Sequence, residues 1–172
     1  MNTTLTPKIY VACLAAYNAG GLHGAWIDAN QDIDQLWNEV NEMLAASPEE
    51  GAEEWAIHDF EDFGSLRLSE YEGIESVQEI AEFIGEYDEL GAELLSHFCG
   101  DLSAAQTAQE NHYVGCYSSV SDYAQELTEE ITEIPENLTF YIDYESMGRD
   151  MEMNDVFTIT TRHSEVHIFW NF

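Results

Sequence analysis

The sequence predicts an α+β fold, and three features carry that prediction. Short apolar runs bounded by Gly, Asn and Pro open the chain, apolar residues at helical spacing fill its middle, and two alternating segments around a short turn close it. The run 9–16, closed by Tyr17-Asn18-Ala19-Gly20-Gly21, predicts a strand and a turn, and a second strand follows over about 22–28. From Asp32 the spacing becomes helical: Ile33, Leu36, Trp37, Val40 and Leu44 share one face, while Asp34, Glu39 and Glu42 lie on the other. Pro48 and Gly51 end that helix, and residues 55–60 predict a third strand. Residues 1–62 therefore form an N-terminal module of one small sheet and one helix.

Residues 63–106 read as a central helical module. Ser76 and Glu79 have the spacing of a capping box, and Val77, Ile80, Ala81 and Ile84 recur on one side of the helix it would start. Glu79, Glu82 and Glu86 occupy the other side or its margin. Leu90, Leu94, Leu95 and Phe98 predict a second helix ending at Gly100, and Asp101 or Ser103 caps a third, alanine-rich one. In the C-terminal module, 107–172, Val120, Tyr123, Ala124, Leu127 and Ile131 repeat the helical spacing, with Asp122, Glu126, Glu129, Glu130 and Glu133 on the polar face. Pro135 stops that helix, another is expected over about 138–147, and 156–162 with 165–171 predict a closing hairpin around His163-Ser164.

Charge narrows function more than length does. Four Lys and Arg against 35 Asp and Glu give a net charge of −31 in 172 residues. Nucleic acid is excluded as a direct ligand, because a duplex carries one negative charge per ~1.7 Å and its binders neutralise it with Lys and Arg. An anionic membrane surface is excluded for the same reason. Disorder would need low hydrophobicity, whereas 45% of residues are hydrophobic and 12% aromatic, so the chain folds. Residues 1–7 are polar, no run of 18 apolar residues occurs, and three cysteines are too few for a disulfide framework, which together predict a cytoplasmic protein.

Sites of conventional chemistry are weakly supported. His97, Cys99, His112 and Cys116 could supply four zinc ligands, but i and i+2 on a helix end do not face each other. Asp28, Asn30, Asp32, Asp34 and Glu39 imitate a calcium loop, yet Ile33 stands where that loop needs glycine, and the acids equally suit a helix N-terminus. His58 and Asp59 are strand neighbours pointing to opposite faces. A small hydrolase would need a cleft with a perturbed carboxylate. No nucleophile elbow, phosphate loop or zinc-protease motif is present, so no catalytic residue and no cofactor is assigned.

The charge itself has two readings. One is solubility or adaptation to salt. The other is imitation of nucleic acid. At one charge per ~1.7 Å, 31 charges match about 53 Å of duplex, whereas a compact chain of this length is about 40 Å across. Acids at i, i+3, i+4 and i+7 form ridges on a helix face despite their mutual repulsion, and function is one reason to tolerate that cost.

Particular segments then resemble the ArdA antirestriction proteins. Residues 9–20 followed by Gly24-Ala25-Trp26 resemble the family's opening strand, turn and second strand. Residues 54–59, from Glu54-Trp55, are similar to its third strand, and 141–150, Tyr141-Ile142-Asp143-Tyr144-Glu145-Ser146-Met147-Gly148-Arg149-Asp150, to its C-terminal signature. Cys13-Leu14-Ala15-Ala16 departs from the family's usual Asn-Leu-Gly-Lys, losing a basic residue. The resemblance implies an elongated row of three small modules, dimerised through the last. It also implies a DNA mimic from a mobile element that occupies the DNA-binding channel of type I restriction-modification enzymes. On that basis the expected contact residues are Asp34, Glu39 and Glu42, then Glu72, Glu75, Glu79, Glu82, Glu86 and Glu93, then Asp122, Glu126, Glu129, Glu130 and Glu133. Tyr141, Tyr144 and Met147 are candidates for packing or dimer contacts. The alternative is an acidic metal-binding protein.

Overall fold

The computed structural model describes residues 4–172, so the first three residues of the polar stretch 1–7 lie outside it. The fold is α+β, and the chain divides into two compact units between Leu102 and Ser103. In the first, β1 (Lys8–Cys13), β2 (Gly24–Asp28) and β3 (Trp55–Glu61) form an antiparallel sheet in the order β2-β1-β3. β1 is central because it is the most apolar strand: Ile9, Val11 and Cys13 have no exposed surface.

The strand expected over 9–16 stops early. After Cys13 the chain enters a short helix, α1 (Leu14–Asn18), and Leu14 N donates to Glu54 O at 3.0 Å. Leu14-Ala15-Ala16 lacks β-branched residues and favours a helix, so the apolar run divides two residues after its last branched side chain, Val11. α2 (Ile33–Ala45) begins at Asp32, whose side chain accepts from Asp34 N at 2.9 Å. It buries Leu36, Val40, Met43 and Leu44 and packs on β1 and β2.

α3 (Ile74–His97) packs in turn on α2 and differs from expectation in two ways. Its N-cap is Gly73, and Ser76 lies inside the first turn with its hydroxyl donating to Glu72 Oε1 at 2.8 Å, so no Ser76–Glu79 capping box forms. Burial of Ile74 draws the helix start forward. The two helices expected from 76 and from Leu90 are joined across a kink at Asp88 (φ 50°, ψ −132°), whose carboxylate accepts from Leu5 N at 3.2 Å. Just past the kink, a Cβ on Gly91 would meet Phe83 O at 3.0 Å, so glycine permits the close return of the chain. The alanine-rich helix α4 (Leu102–Thr107) follows Asp101.

The second unit contains α5 (Val120–Ile131), α6 (Tyr144–Asn154) and an antiparallel sheet of β4 (Tyr113–Tyr117), β5 (Val156–Arg162) and β6 (Glu165–Trp170), ordered β4-β6-β5. The hairpin of β5 and β6 turns at His163-Ser164 as expected. The sequence reading lacks β4, which a π-helical turn, Ala108–His112, precedes; Gly115 and a bulge between Tyr113 and Gly115 interrupt its alternation. The single helix expected over 138–147 is corrected. A 3-10 turn, Glu136–Tyr141, gives way to extended Ile142, and α6 starts only after Asp143, which accepts from Ser146 N at 2.9 Å. Asp143 thus competes for the backbone and restarts the helix.

Val120, Tyr123, Val156 and Ile168 form the centre of this unit's core. α6 crosses α5 at Gly148, where a Cβ would stand 2.9 Å from Ser121 N and 3.2 Å from Val120 C. Among the described residues, no helix is long and apolar enough to cross a membrane.

Candidate functional site

Among the described residues, no charged side chain is buried. The acids therefore decorate the surface, and helical geometry decides which act together. In the first segment of α3, Glu75, Glu79, Glu82 and Glu86 stand at i, i+4, i+7 and i+11. At 100° per residue they fall within about 60° of one another and span ~16 Å of axis. All four are exposed, opposite the buried Val77, Ile80, Ala81 and Ile84. The earlier start of α3 brings Glu75 into this stripe.

α5 repeats the spacing with Asp122, Glu126 and Glu129, flanked by Glu130, all exposed. Glu133 would continue the row, but the helix ends at Ile131 and Thr132 is extended (φ −132°, ψ 125°), so its expected place on the helix face is corrected. On α2, Asp34 and Glu42 are exposed and Glu39 is half-buried.

Hydrogen bonds divide these acids. Glu93 accepts from Ser65 N and Oγ at 3.3 and 2.8 Å, Glu72 accepts from Ser76, and both are half-buried. These two act within the fold. Glu75 accepts from Trp37 Nε1 at 3.0 Å, Glu126 from Tyr117 Oη at 3.1 Å, and Glu129 from Gln125 at 2.9 Å. Asp122 forms a reciprocal cap with Ser119: its N–H donates to Ser119 Oγ at 3.1 Å, and that hydroxyl donates to its carboxylate at 2.8 Å. Glu79, Glu86 and Glu130 make no side-chain hydrogen bond among the described residues and stand free in solvent.

The α5 carboxylates are felt by their neighbours. Burial and then Glu126 push the Tyr117 phenol above its usual range; burial, Glu126 and Glu130 do the same for Tyr123. Tyr144 rises through burial and then Glu129. The helix face thus carries a negative field that disfavours any further anion beside it.

The other expected residues divide by role. Tyr141 is 84% exposed on the 3-10 turn, beside Phe140 at 96%. Met147 is partly exposed on α6, while Tyr144 is half-buried with its hydroxyl enclosed. Ile131 and Leu138 extend this exposed apolar set, which scattered spacing hid from sequence reasoning. Of the proposed metal ligands, His97 and Cys99 belong to the first unit and His112 and Cys116 to the second. His112 stacks on Phe172 at 4.4 Å. Asp28 and Asp32 accept from Asn30 N and Asp34 N, as turn and cap residues do. Among the described residues, no group of three or more His, Cys, Asp or Glu side chains is arranged to hold a metal ion.

A search of curated proteins finds no match to the chain. The model of the antirestriction protein family ArdA matches residues 9–165, nearly the whole length, from β1 through β5 to the first residue of β6. The acidic, helix-mounted surface therefore sits on a chain that belongs to the ArdA antirestriction protein family.

Proposed function

We propose that this protein is a non-enzymatic competitor of duplex DNA, which docks its acidic surface in the DNA-binding channel of a type I restriction-modification enzyme, on the methyltransferase core. The stripe Glu75-Glu79-Glu82-Glu86 carries this reading. It places one carboxylate per ~5.5 Å of helix axis, against one phosphate per ~3.4 Å along one DNA strand. α5 repeats the arrangement in the second unit, so the modules 1–62, 63–106 and 107–172 each contribute an acidic helix face. A channel lined by Lys and Arg gains from such a surface as from phosphate, with release of counterions. The role suits a mobile element entering a host whose enzymes act in the cytoplasm.

We take the working unit as a homodimer through the C-terminal module. Phe140, Tyr141, Leu138 and Ile131 support this, since several large apolar side chains exposed along one stretch of chain are costly in water unless a partner covers them.

Protection of unmodified duplex from a purified type I enzyme tests the distributed site. Glu79→Gln alone leaves protection nearly intact. Gln at Glu75, Glu79, Glu82 and Glu86 together weakens it clearly, and a large loss from the single change would overturn the model.

A further inference from the structure

We infer that the concavity lined by Leu14, Glu53, Glu54, Trp55 and Tyr71 is a pocket for an arginine side chain of the partner enzyme. This deepens the proposed function and rests on it for the partner's identity. The concavity, of about 540 Å³, lies where β1 ends and β3 begins. Leu14 N bonds Glu54 O at 3.0 Å, which fixes the backbone that carries both carboxylates. On the other side, Ile57 N bonds Glu70 O at 2.9 Å and Tyr71 N donates to Ser69 Oγ at 3.3 Å. The backbone around Tyr71 is thus tied to the sheet while its ring is 74% exposed. An aromatic ring held in water on a fixed support contributes little to the core and is available for contact.

The residue types select the ligand. Two aromatic rings and two exposed carboxylates in one concavity suit a cation that can lie over a π face and donate to oxygen together. Guanidinium does both, being planar, weakly hydrated and able to bond carboxylates in pairs, whereas a lysine ammonium is a hydrated point charge. Two other concavities are lined by basic side chains of this chain. Arg149 lines the one between α5 and α6, and in the other His58 Nε2 stands 3.6 Å from Glu70 Oε1. The pocket also adjoins the acidic stripe. Trp55 meets Trp37 edge-on at 5.9 Å, and Trp37 bonds Glu75, the first acid of the row. An enzyme channel that follows the carboxylates of α3 therefore meets the concavity of Trp55 and Tyr71 at their N-terminal end.

The test is a titration of the full chain with N-acetylarginine methylamide in physiological salt, followed at the tryptophan indole N–H resonances by NMR. A saturable shift at Trp55 is expected. It should exceed those at Trp26 and Trp170, be at least threefold larger than with the lysine analogue, disappear in Tyr71→Ala and return in Tyr71→Phe. Tyr71→Ala, which changes no charge, should also make the protein a three- to tenfold weaker competitor of duplex for the methyltransferase core. Equal shifts at all indoles, equal response to lysine, or indifference to Tyr71→Ala would overturn the pocket. If duplex displacement succeeds while Trp55 stays silent, the pocket falls and the proposed function stands. If Trp55 responds but no duplex is displaced, the pocket stands and the restriction-enzyme reading falls.

Discussion

Neutralising the α3 stripe should stabilise the protein while it weakens the proposed activity. Glu75/Glu79 and Glu82/Glu86 are i, i+4 pairs and Glu79/Glu82 is an i, i+3 pair, all exposed and like-charged. Each such pair costs about 0.2–0.5 kcal/mol, so the triple change Glu79→Gln, Glu82→Gln, Glu86→Gln removes three repulsions and gains about 0.6–1.5 kcal/mol at low salt. Glu75 keeps its bond to Trp37 Nε1, and glutamine at 82 can still accept from Gln78. Helix propensity is almost unchanged between Glu and Gln. Salt must erase most of the gain, because neighbours on a helix are ~5–6 Å apart and the Debye length shrinks to ~3 Å at 1 M. Urea unfolding, which leaves ionic strength free to vary, reads the first unit through Trp26, Trp37 and Trp55. A variant less stable than wild type, or a gain equal at 20 mM and 1 M salt, would refute a repulsive stripe and return these acids to a structural role.

Other consequences fall on the second unit. Gly148→Ala places a Cβ 2.9 Å from Ser121 N; overpacking of ~1–3 kcal/mol outweighs the ~1 kcal/mol gained in helix propensity, so urea unfolding should show a net loss of about 1 kcal/mol, and a net gain would show that α5 and α6 have room to part. Ser119→Ala removes the cap on Asp122 N and should cost about 1 kcal/mol in the same assay, whereas an unchanged midpoint would mean that water replaces the cap fully. His167 bonds Tyr113 Oη through Nδ1 at 2.9 Å, and burial holds its imidazole below the usual value of 6.5, with Glu165 opposing. The fold favours neutral His167, so this unit keeps its full stability above about 6.5 and loses some as pH falls from there toward the folded value. His167→Gln should flatten that decline between pH 7.5 and 5.5, and parallel curves for the two proteins would contradict it.

Where apolar periodicity and burial coincide, the sequence was enough to place the structure. Ile33 to Leu44 and Val120 to Ile131 became α2 and α5 because the apolar face of each, Ile131 apart, found a sheet or helix to cover it. The alternation around His163-Ser164 likewise became β5 and β6. Failures arose where competing tertiary terms chose between local options. The capping box at Ser76 lost to burial of Ile74, and the run after Cys13, free of branched residues, turned helical. Asp143 cut one expected helix into a 3-10 turn and α6. β4 was illegible because a glycine and a bulge break its alternation in five residues.

The candidate surface was legible as acids on helix faces. Its finer division was not: which carboxylates serve the fold depends on partners distant in sequence, such as Ser65 for Glu93 and Trp37 for Glu75. The aromatic pocket at Tyr71 needed the sheet to bring Leu14 beside Glu54.

The central claim, that acidic helix faces stand in for duplex DNA, is tested most directly by displacing labelled duplex from a purified type I methyltransferase core across a salt series. The account predicts stoichiometric displacement whose affinity falls steeply with salt, as for a ligand that releases many counterions. No displacement at low salt, with an unrelated protein of similar negative charge equally inert, would contradict mimicry for this class of enzyme.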